Sequence, residues 1–103
     1  MAEVLCHIHE RRPITELGHG MAPGADTLAD EWALLRGILV KRYPANWNKY
    51  GKSAGPIRNQ YMLETFKPNG AVAFFGAHYT GTGTTDMVTR LREAGVPVWE
   101  IRN

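Results

Sequence analysis

The chain has few of the features that mark secreted or membrane-embedded proteins. Its single cysteine, Cys6, excludes an internal disulfide and is typical of a reducing compartment. Because Cys6 falls in an apparent helix, we expect a buried thiol rather than a nucleophile. No signal-peptide pattern is present, and no apolar run approaches the roughly twenty residues that span a bilayer. The sequence therefore predicts a soluble, cytoplasmic protein without a membrane partner.

An excess of one charge and the common catalytic motifs are also absent. The formal net charge is only +2, with the twelve Lys and Arg residues scattered, so nucleic acid is disfavoured as a partner. No zinc motif, Walker loop, HExxH motif or Ser/His/Asp order occurs. His7 and His9 are two residues apart, so on a helix they make a poor metal pair. We predict no metal site and no cofactor.

The composition is that of an ordinary globular domain. With 44% hydrophobic residues in a chain of 103, there is room for one core, which predicts a single domain over residues 1–103. A domain of this size buries only about two-thirds of the surface of its unfolded chain. Self-association can supply the missing burial, so we expect a homo-oligomer, a dimer or larger.

Helical and strand patterns alternate along the chain. Helices are predicted from Glu3 to Arg12, from Asp26 to the stop at Gly37, from Gly55-Pro56 to Pro68, and over Met87 to Ala94. Strands are predicted over Ile14 to Leu17, Ile38 to Tyr43, Ala71 to Phe75 and Val96 to Ile101. This order indicates an α/β fold with a Rossmann-like, doubly wound, mostly parallel sheet of about four strands and flanking helices. The apolar run Ala71 to Phe75 is expected at the centre of the sheet.

Two Gly-rich loops join a strand to a helix, Gly18 to Asp26 and Gly76 to Asp86. In parallel sheets such loops lie beyond the carboxyl ends of strands, where ligands bind. Glycine lets backbone amides approach a phosphate, and the following helix start adds aligned N–H groups. Each loop is predicted to bind phosphate, with a structural turn as the alternative. His19 and His78 are donors or acid/base groups in these loops, or only polar contacts.

Arg58 and Asn59 stand in the first turn of a predicted helix, where a cation opposes the helix dipole. Arg58 there indicates an anionic partner, either a ligand phosphate or a carboxylate such as Asp26. Asn59 is suited to contact a base or ribose edge. Trp47, in the preceding loop, either stacks on a base or packs over the edge of the sheet.

Four sequence blocks resemble one family. They are Gly18-His19-Gly20-Met21-Ala22-Pro23-Gly24-Ala25-Asp26 with the helix after it, Tyr43-Pro44-Ala45-Asn46-Trp47, Ala54-Gly55-Pro56-Ile57-Arg58-Asn59, and Ala73-Phe74 followed by Gly83-Thr84-Thr85-Asp86-Met87. The chain thereby resembles the YspA/YpsA-related branch of the SLOG superfamily. The resemblance implies a Rossmann-like fold and binding of nucleotides or nucleotide-derived signals. The superfamily includes proteins that hydrolyse nucleoside monophosphates (LOG), process DNA (DprA) or sense ADP-ribose derivatives.

The chain departs from the family pattern in three respects. The family begins with a strand and a Gly-x-Arg-type loop that would precede the first helix here, which predicts a truncated SLOG fold. We expect the sheet to close across the missing strand. The predicted order of its strands is Ile38 to Tyr43, Ile14 to Leu17, Ala71 to Phe75 and Val96 to Ile101. Met87 stands where the LOG hydrolases carry a glutamate, and Asn59 stands where they typically carry lysine. These departures weaken the case for catalysis.

The leading hypothesis is a binder that senses or sequesters a nucleotide-like small molecule, such as an ADP-ribose or cyclic-nucleotide derivative, without chemistry. Its predicted ligand-binding residues are Gly18, His19, Gly20, Met21, Gly24, Ala25, Asp26, Trp47, Arg58, Asn59, Gly76, Gly81, Gly83, Thr84 and Thr85. One alternative is a LOG-like N-glycosidic phosphoribohydrolase using Asp86 or Asp26; another is DprA-like binding of single-stranded nucleic acid. A free-standing binder suits phage defence signalling or counter-defence.

Overall fold

The computed structural model describes residues 2–75 and 82–102 of the chain. Among these residues, no helix has the length and apolar character needed to cross a bilayer. The chain divides into two compact units, Met1–Tyr43 and Pro44–Asn103. Each unit contains one pair of parallel strands.

The first unit is a helix followed by a β-α-β segment. Its elements are α1 (Ala2–Arg11), β1 (Glu16–His19), α2 (Ala25–Leu35) and β2 (Leu39–Arg42). Strands β1 and β2 are parallel, in a register that runs from Glu16 opposite Leu39 to His19 opposite Arg42. Gly37 stops α2 with a φ of 69°, as its place after the helix predicted. His19 and Arg42 therefore lie side by side at the carboxyl end of the pair.

The core of the first unit is built around Trp32. Leu5, Trp32, Ala33 and Ile38 are buried together. The Trp32 Nε1 group donates to the Cys6 Sγ atom at 3.3 Å, and the Arg36 guanidinium stacks 4.5 Å from the indole centroid. Cys6 is half-buried rather than buried as predicted, because it lies at the edge of this core beside Arg36.

The second unit begins with short helical turns and ends with a second parallel pair. Its elements are α3 (Trp47–Tyr50), a 3₁₀ turn (Gly51–Ser53), α4 (Ala54–Phe66), β3 (Ala71–Phe75), α5 (Thr82–Glu93) and β4 (Val98–Arg102). Strands β3 and β4 pair from Ala71 opposite Val98 to Phe75 opposite Arg102. Buried apolar residues here include Ala54, Ala73, Val88 and Leu91. The Asn46 side chain caps α3 by accepting from the Lys49 amide at 3.1 Å.

Several element boundaries differ from the predictions. Strand β1 includes Gly18 and His19, which were predicted to lie in a loop, because their pairing with Lys41 and Arg42 outweighs the weak strand preference of glycine. Helix α5 starts at Thr82, so Gly83, Thr84 and Thr85 lie in its first turn rather than in a loop. The predicted loop from Pro44 to Gly55 contains α3 and the 3₁₀ turn.

The α/β class with parallel strands and flanking helices is confirmed. Within each unit the described strands form one parallel pair, β1 with β2 and β3 with β4. Within β3, only Ala73 is buried. The order of strands across the two pairs stays a prediction.

Candidate functional site

The Gly-rich loop after β1 is held by its own side chains. The Asp26 Oδ2 atom accepts from the amides of Gly20 at 3.1 Å and Ala22 at 3.0 Å. Between them, the Met21 amide donates to His19 Nδ1 at 3.0 Å, and Met21 has a φ of 62°. These three successive amides were predicted to bind a phosphate, but each donates a hydrogen bond to a side chain of the first unit. Asp26 thereby anchors the loop, and its contact with a ligand stays a prediction.

His19 connects this loop to the carboxyl end of the β1–β2 pair. The residue is only 6% exposed, and its Nε2 atom lies 2.6 Å from Asp30 Oδ2. Because Nδ1 accepts the Met21 amide, Nε2 carries the ring hydrogen and donates it to Asp30. His19 is thereby fixed at both nitrogens, which argues against a role as a mobile acid/base group.

Asp30 also forms a bidentate ion pair with Arg42. Arg42 Nε donates to Asp30 Oδ2 at 2.7 Å, and a terminal nitrogen of Arg42 donates to Oδ1 at 3.0 Å. The hydrogen bond from Arg42, with that from His19, lowers the pKa of Asp30 to about 2. A cleft of ≈ 260 Å³ opens beside this cluster, lined by His19, Met21, Thr27, Asp30, Glu31 and Arg42.

In the second unit, Asn59 joins two segments that the sequence predicted to meet at the ligand. Asn59 is 3% exposed and lies in α4. Its Nδ2 group donates to the Gly83 carbonyl at 3.1 Å and to Asp86 Oδ2 at 3.0 Å. Its Oδ1 atom accepts from Arg58 Nε at 2.8 Å. The structure therefore brings Arg58 and Asn59 together with the start of α5.

Asp86, the candidate acid/base of the hydrolase alternative, accepts two hydrogen bonds at its Oδ2 atom. Arg90 Nε donates to Asp86 Oδ2 at 2.7 Å, and Arg90 also donates to Gln60 Oε1 at 2.9 Å. The hydrogen bond from Arg90 is the main cause that lowers the pKa of Asp86, and the bond from Asn59 adds to it against partial burial. Asp86 is thus an ionised anchor of α4 and α5, which does not suit a proton donor.

The first turn of α5 presents small residues. A Cβ atom built on Gly83 would meet no described atom within 4 Å, and Gly83 and Thr84 are half-buried while Thr85 is exposed. Gly76, His78 and Gly81 lie outside the described residues. The small side chains of this turn leave space for a ligand to approach its backbone.

Trp47 lies against the first turn of α4. Its Cη2 atom is 3.5 Å from the point where a Cβ on Gly55 would stand, yet the residue is 60% exposed. It thus packs on the first turn of a helix, with much of its surface toward solvent.

Sequence reasoning missed Asp30, Arg42, Gln60 and Arg90 as members of these clusters. Arg42 is the last residue of β2, so the rule that ligands gather at carboxyl ends of strands could have identified it. Asp30 follows Asp26 by one helical turn and so lies on the same face of α2. Arg90 follows Asp86 by the same spacing, which favours an ion pair. Gln60 gives no comparable signal.

Comparisons with known proteins place the chain in a family. The family described as "YspA, cpYpsA-related SLOG family" matches residues 1–50. The chain is similar to Gene 61 protein of Mycobacterium phage D29, with 32% identity over 85 residues, which cover 78% of this chain and 66% of the phage protein. No solved structure matches it significantly. By the match over its first half, the chain belongs to the YspA/cpYpsA-related SLOG family.

Proposed function

We propose that the protein binds a nucleotide or nucleotide-derived signal, such as an ADP-ribose or cyclic-nucleotide derivative, without converting it. Family membership supports a nucleotide-related role. The observation that carries the proposal is the Arg58–Asn59–Gly83 contact, which brings a cation and a buried amide to a Gly/Thr-rich helix start.

The phosphate end of the ligand would lie at the start of α5. The first amides of a helix lack intrahelical acceptors and carry roughly half a positive charge, which favours an anion. Arg58 adds a full charge nearby, because its Nε atom is held by Asn59 Oδ1. Gly83 leaves room for a phosphate to approach the backbone. This arrangement supports recognition of a phosphate-bearing group.

The carboxylates favour binding over hydrolysis. A phosphoribohydrolase needs a carboxyl group that reaches the ribosyl centre and exchanges protons. Asp86 is instead paired with Arg90 and Asn59, and Asp26 accepts two loop amides. Moving either carboxylate toward a substrate would leave these donors without their acceptors. The LOG-like alternative is therefore the second candidate, and its reaction products give a direct test.

The proposed setting is phage defence signalling or counter-defence, where a binder removes or senses a signal. Similarity to a phage protein supports this setting. Exposed Leu34, Leu35 and Leu39 support the proposed homo-oligomer, because neighbouring apolar side chains on a surface favour association.

Mass spectrometry of small molecules that copurify with the native protein tests the proposal. We expect an intact nucleotide derivative that dissociates on denaturation. Incubation with AMP, followed by chromatography, should release no adenine. Adenine and ribose 5-phosphate formed by the protein, but not by Asp86→Asn, would replace the binding proposal with the hydrolase.

A further inference from the structure

A cleft of ≈ 480 Å³ lies in the second unit, beside the segments that lead into β3 and β4. Its lining comes from the second half of α4, the turn after α4 and the segment between α5 and β4: Gln60, Leu63, Glu64, Lys67, Pro68, Ala94 and Val96. None of these residues is among those proposed to contact the nucleotide. The volume falls within the range of small-molecule sites, about 300–1,000 Å³.

The cleft combines apolar walls with two opposite charges. Leu63, Pro68 and Val96 are half-buried and supply apolar side chains to the walls. Glu64 and Lys67 also line the cleft, and both residues are exposed. Small-molecule sites commonly have such a lining, in which apolar side chains surround a few polar groups that orient the ligand.

The two charges do not neutralise each other. Glu64 and Lys67 are three residues apart, a spacing that favours an ion pair within a helix. Lys67, however, has left the helical conformation with a φ of 52°. Glu64 Oε1 accepts from Gln60 Nε2 at 2.8 Å, and the part of the chain that the structure describes offers no partner to Glu64 Oε2 or to the Lys67 ammonium group. A carboxylate and an ammonium group therefore remain open to a ligand.

Lys67 stands at a position where glycine is the favoured residue. It follows the last residue of α4 in the left-handed conformation, with a φ of 52° and a ψ of 63°. A residue with a Cβ atom is strained there and glycine is not. The charge of a lysine at a helix C-terminus offsets part of this strain. Strain at a lysine that lines a cleft and has no described ion-pair partner indicates a ligand contact.

We propose that this cleft binds a small zwitterion with an apolar side chain, of which a free branched-chain amino acid is the simplest. Lys67 binds the carboxylate, Glu64 binds the ammonium group, and the apolar walls contact the side chain. A zwitterion matches the lining because it pairs with both charges at once, whereas a simple anion or cation leaves one of them without a partner. The proposal uses no contact at the start of α5, so it stands independently of the proposed nucleotide site.

Titration of the full chain with L-leucine, followed by NMR, tests the proposal. The methyl signals of Leu63, Ala94 and Val96 should shift in a saturable way at millimolar leucine. 3-Methylbutylamine lacks the carboxylate of leucine, and 4-methylpentanoate lacks its ammonium group. Each should bind about tenfold more weakly than leucine, because each loses one hydrogen bond between charged groups. Glycine, which keeps both charges but has no apolar side chain, should also bind more weakly.

Substitutions in the protein separate the two charge contacts. Lys67→Gln should weaken leucine binding about tenfold and leave binding of 3-methylbutylamine unchanged. Glu64→Gln should weaken leucine binding to a similar extent and leave binding of 4-methylpentanoate unchanged. Lys67→Arg keeps the charge and should keep most of the affinity. The matched control is Lys52→Gln, which removes an exposed lysine outside the cleft and should change nothing.

Lys67→Gly separates a ligand contact from a structural role. Because glycine has no Cβ atom to strain at a φ of 52°, this variant should unfold at the same temperature as the unchanged chain or at a higher one. It should nevertheless lose leucine affinity to the same extent as Lys67→Gln. Loss of binding in this variant then cannot come from loss of the fold.

Three results would overturn the proposal. The first is no saturable shift of the three methyl signals with leucine. The second is a leucine affinity that neither Lys67→Gln nor Glu64→Gln changes, which would place leucine away from both charges. The third is equal affinity for leucine and 4-methylpentanoate, which would mean that Glu64 does not contact the ammonium group.

Discussion

Replacement of Asn59 by alanine probes the contact between α4 and α5. The change removes two donated hydrogen bonds, to the Gly83 carbonyl and Asp86, and one accepted from Arg58. Arg90 still neutralises Asp86, which limits the cost at that partner. A buried group that loses its only partner costs about 1–3 kcal/mol, and a typical bond contributes about 1 kcal/mol. We expect Asn59→Ala to lower the free energy of unfolding by about 2–4 kcal/mol.

Urea denaturation measures this effect as a shift of the midpoint by about 1.3–4 M, for an m-value of about 1–1.5 kcal/mol/M. Asn48→Ala is the matched control, because Asn48 is exposed in α3, and its free energy of unfolding should change by less than about 0.5 kcal/mol. Asn59→Asp preserves the shape but places a second carboxylate beside Asp86, so it should be less stable at neutral than at acidic pH. Equal midpoints for Asn59→Ala and Asn48→Ala would refute the reasoning.

Three further predictions concern binding, acid stability and assembly. Arg58→Ala should weaken ADP-ribose binding by about 1.5–3 kcal/mol in calorimetry, while Arg12→Ala should not; unchanged affinity with lost thermal stability would make Arg58 structural. The Asp30 pKa of about 2 lies below its ordinary 3.8, so the Asp30 contribution to stability is present above pH 4 and lost as pH falls through about 2. Arg42→Gln should raise the Asp30 pKa measured by NMR, and no rise would contradict the assigned cause. Light scattering at micromolar concentration should give a dimer or larger, whereas a ligand-binding monomer would contradict the oligomer.

Elements with strong local signals could be predicted from the sequence. The glycine after α2 and the proline in the first turn of α4 set boundaries that depend on backbone conformation alone. The approximate positions of all four strands followed from β-rich runs between turn residues. These features are local, so pairing partners were not needed to recognise them.

Features that depend on pairing could not be predicted. Gly18 and His19 join β1 only because β2 lies beside them. In the candidate site, the convergence of Arg58, Asn59 and Gly83 was expected, because helix starts at carboxyl ends of strands collect ligand contacts. The capture of loop amides by Asp26 was not, since it depends on one side-chain rotamer.

The short crossovers of the two strand pairs have a consequence for how the chain folds. Each ladder closes through one intervening helix, within residues 16–42 and 71–102. Loop closure costs less entropy over a short stretch, and local contacts favour rapid folding. Strands β1 and β2 can therefore pair while the ribosome is still adding the second half of the chain, before β3 and β4 exist.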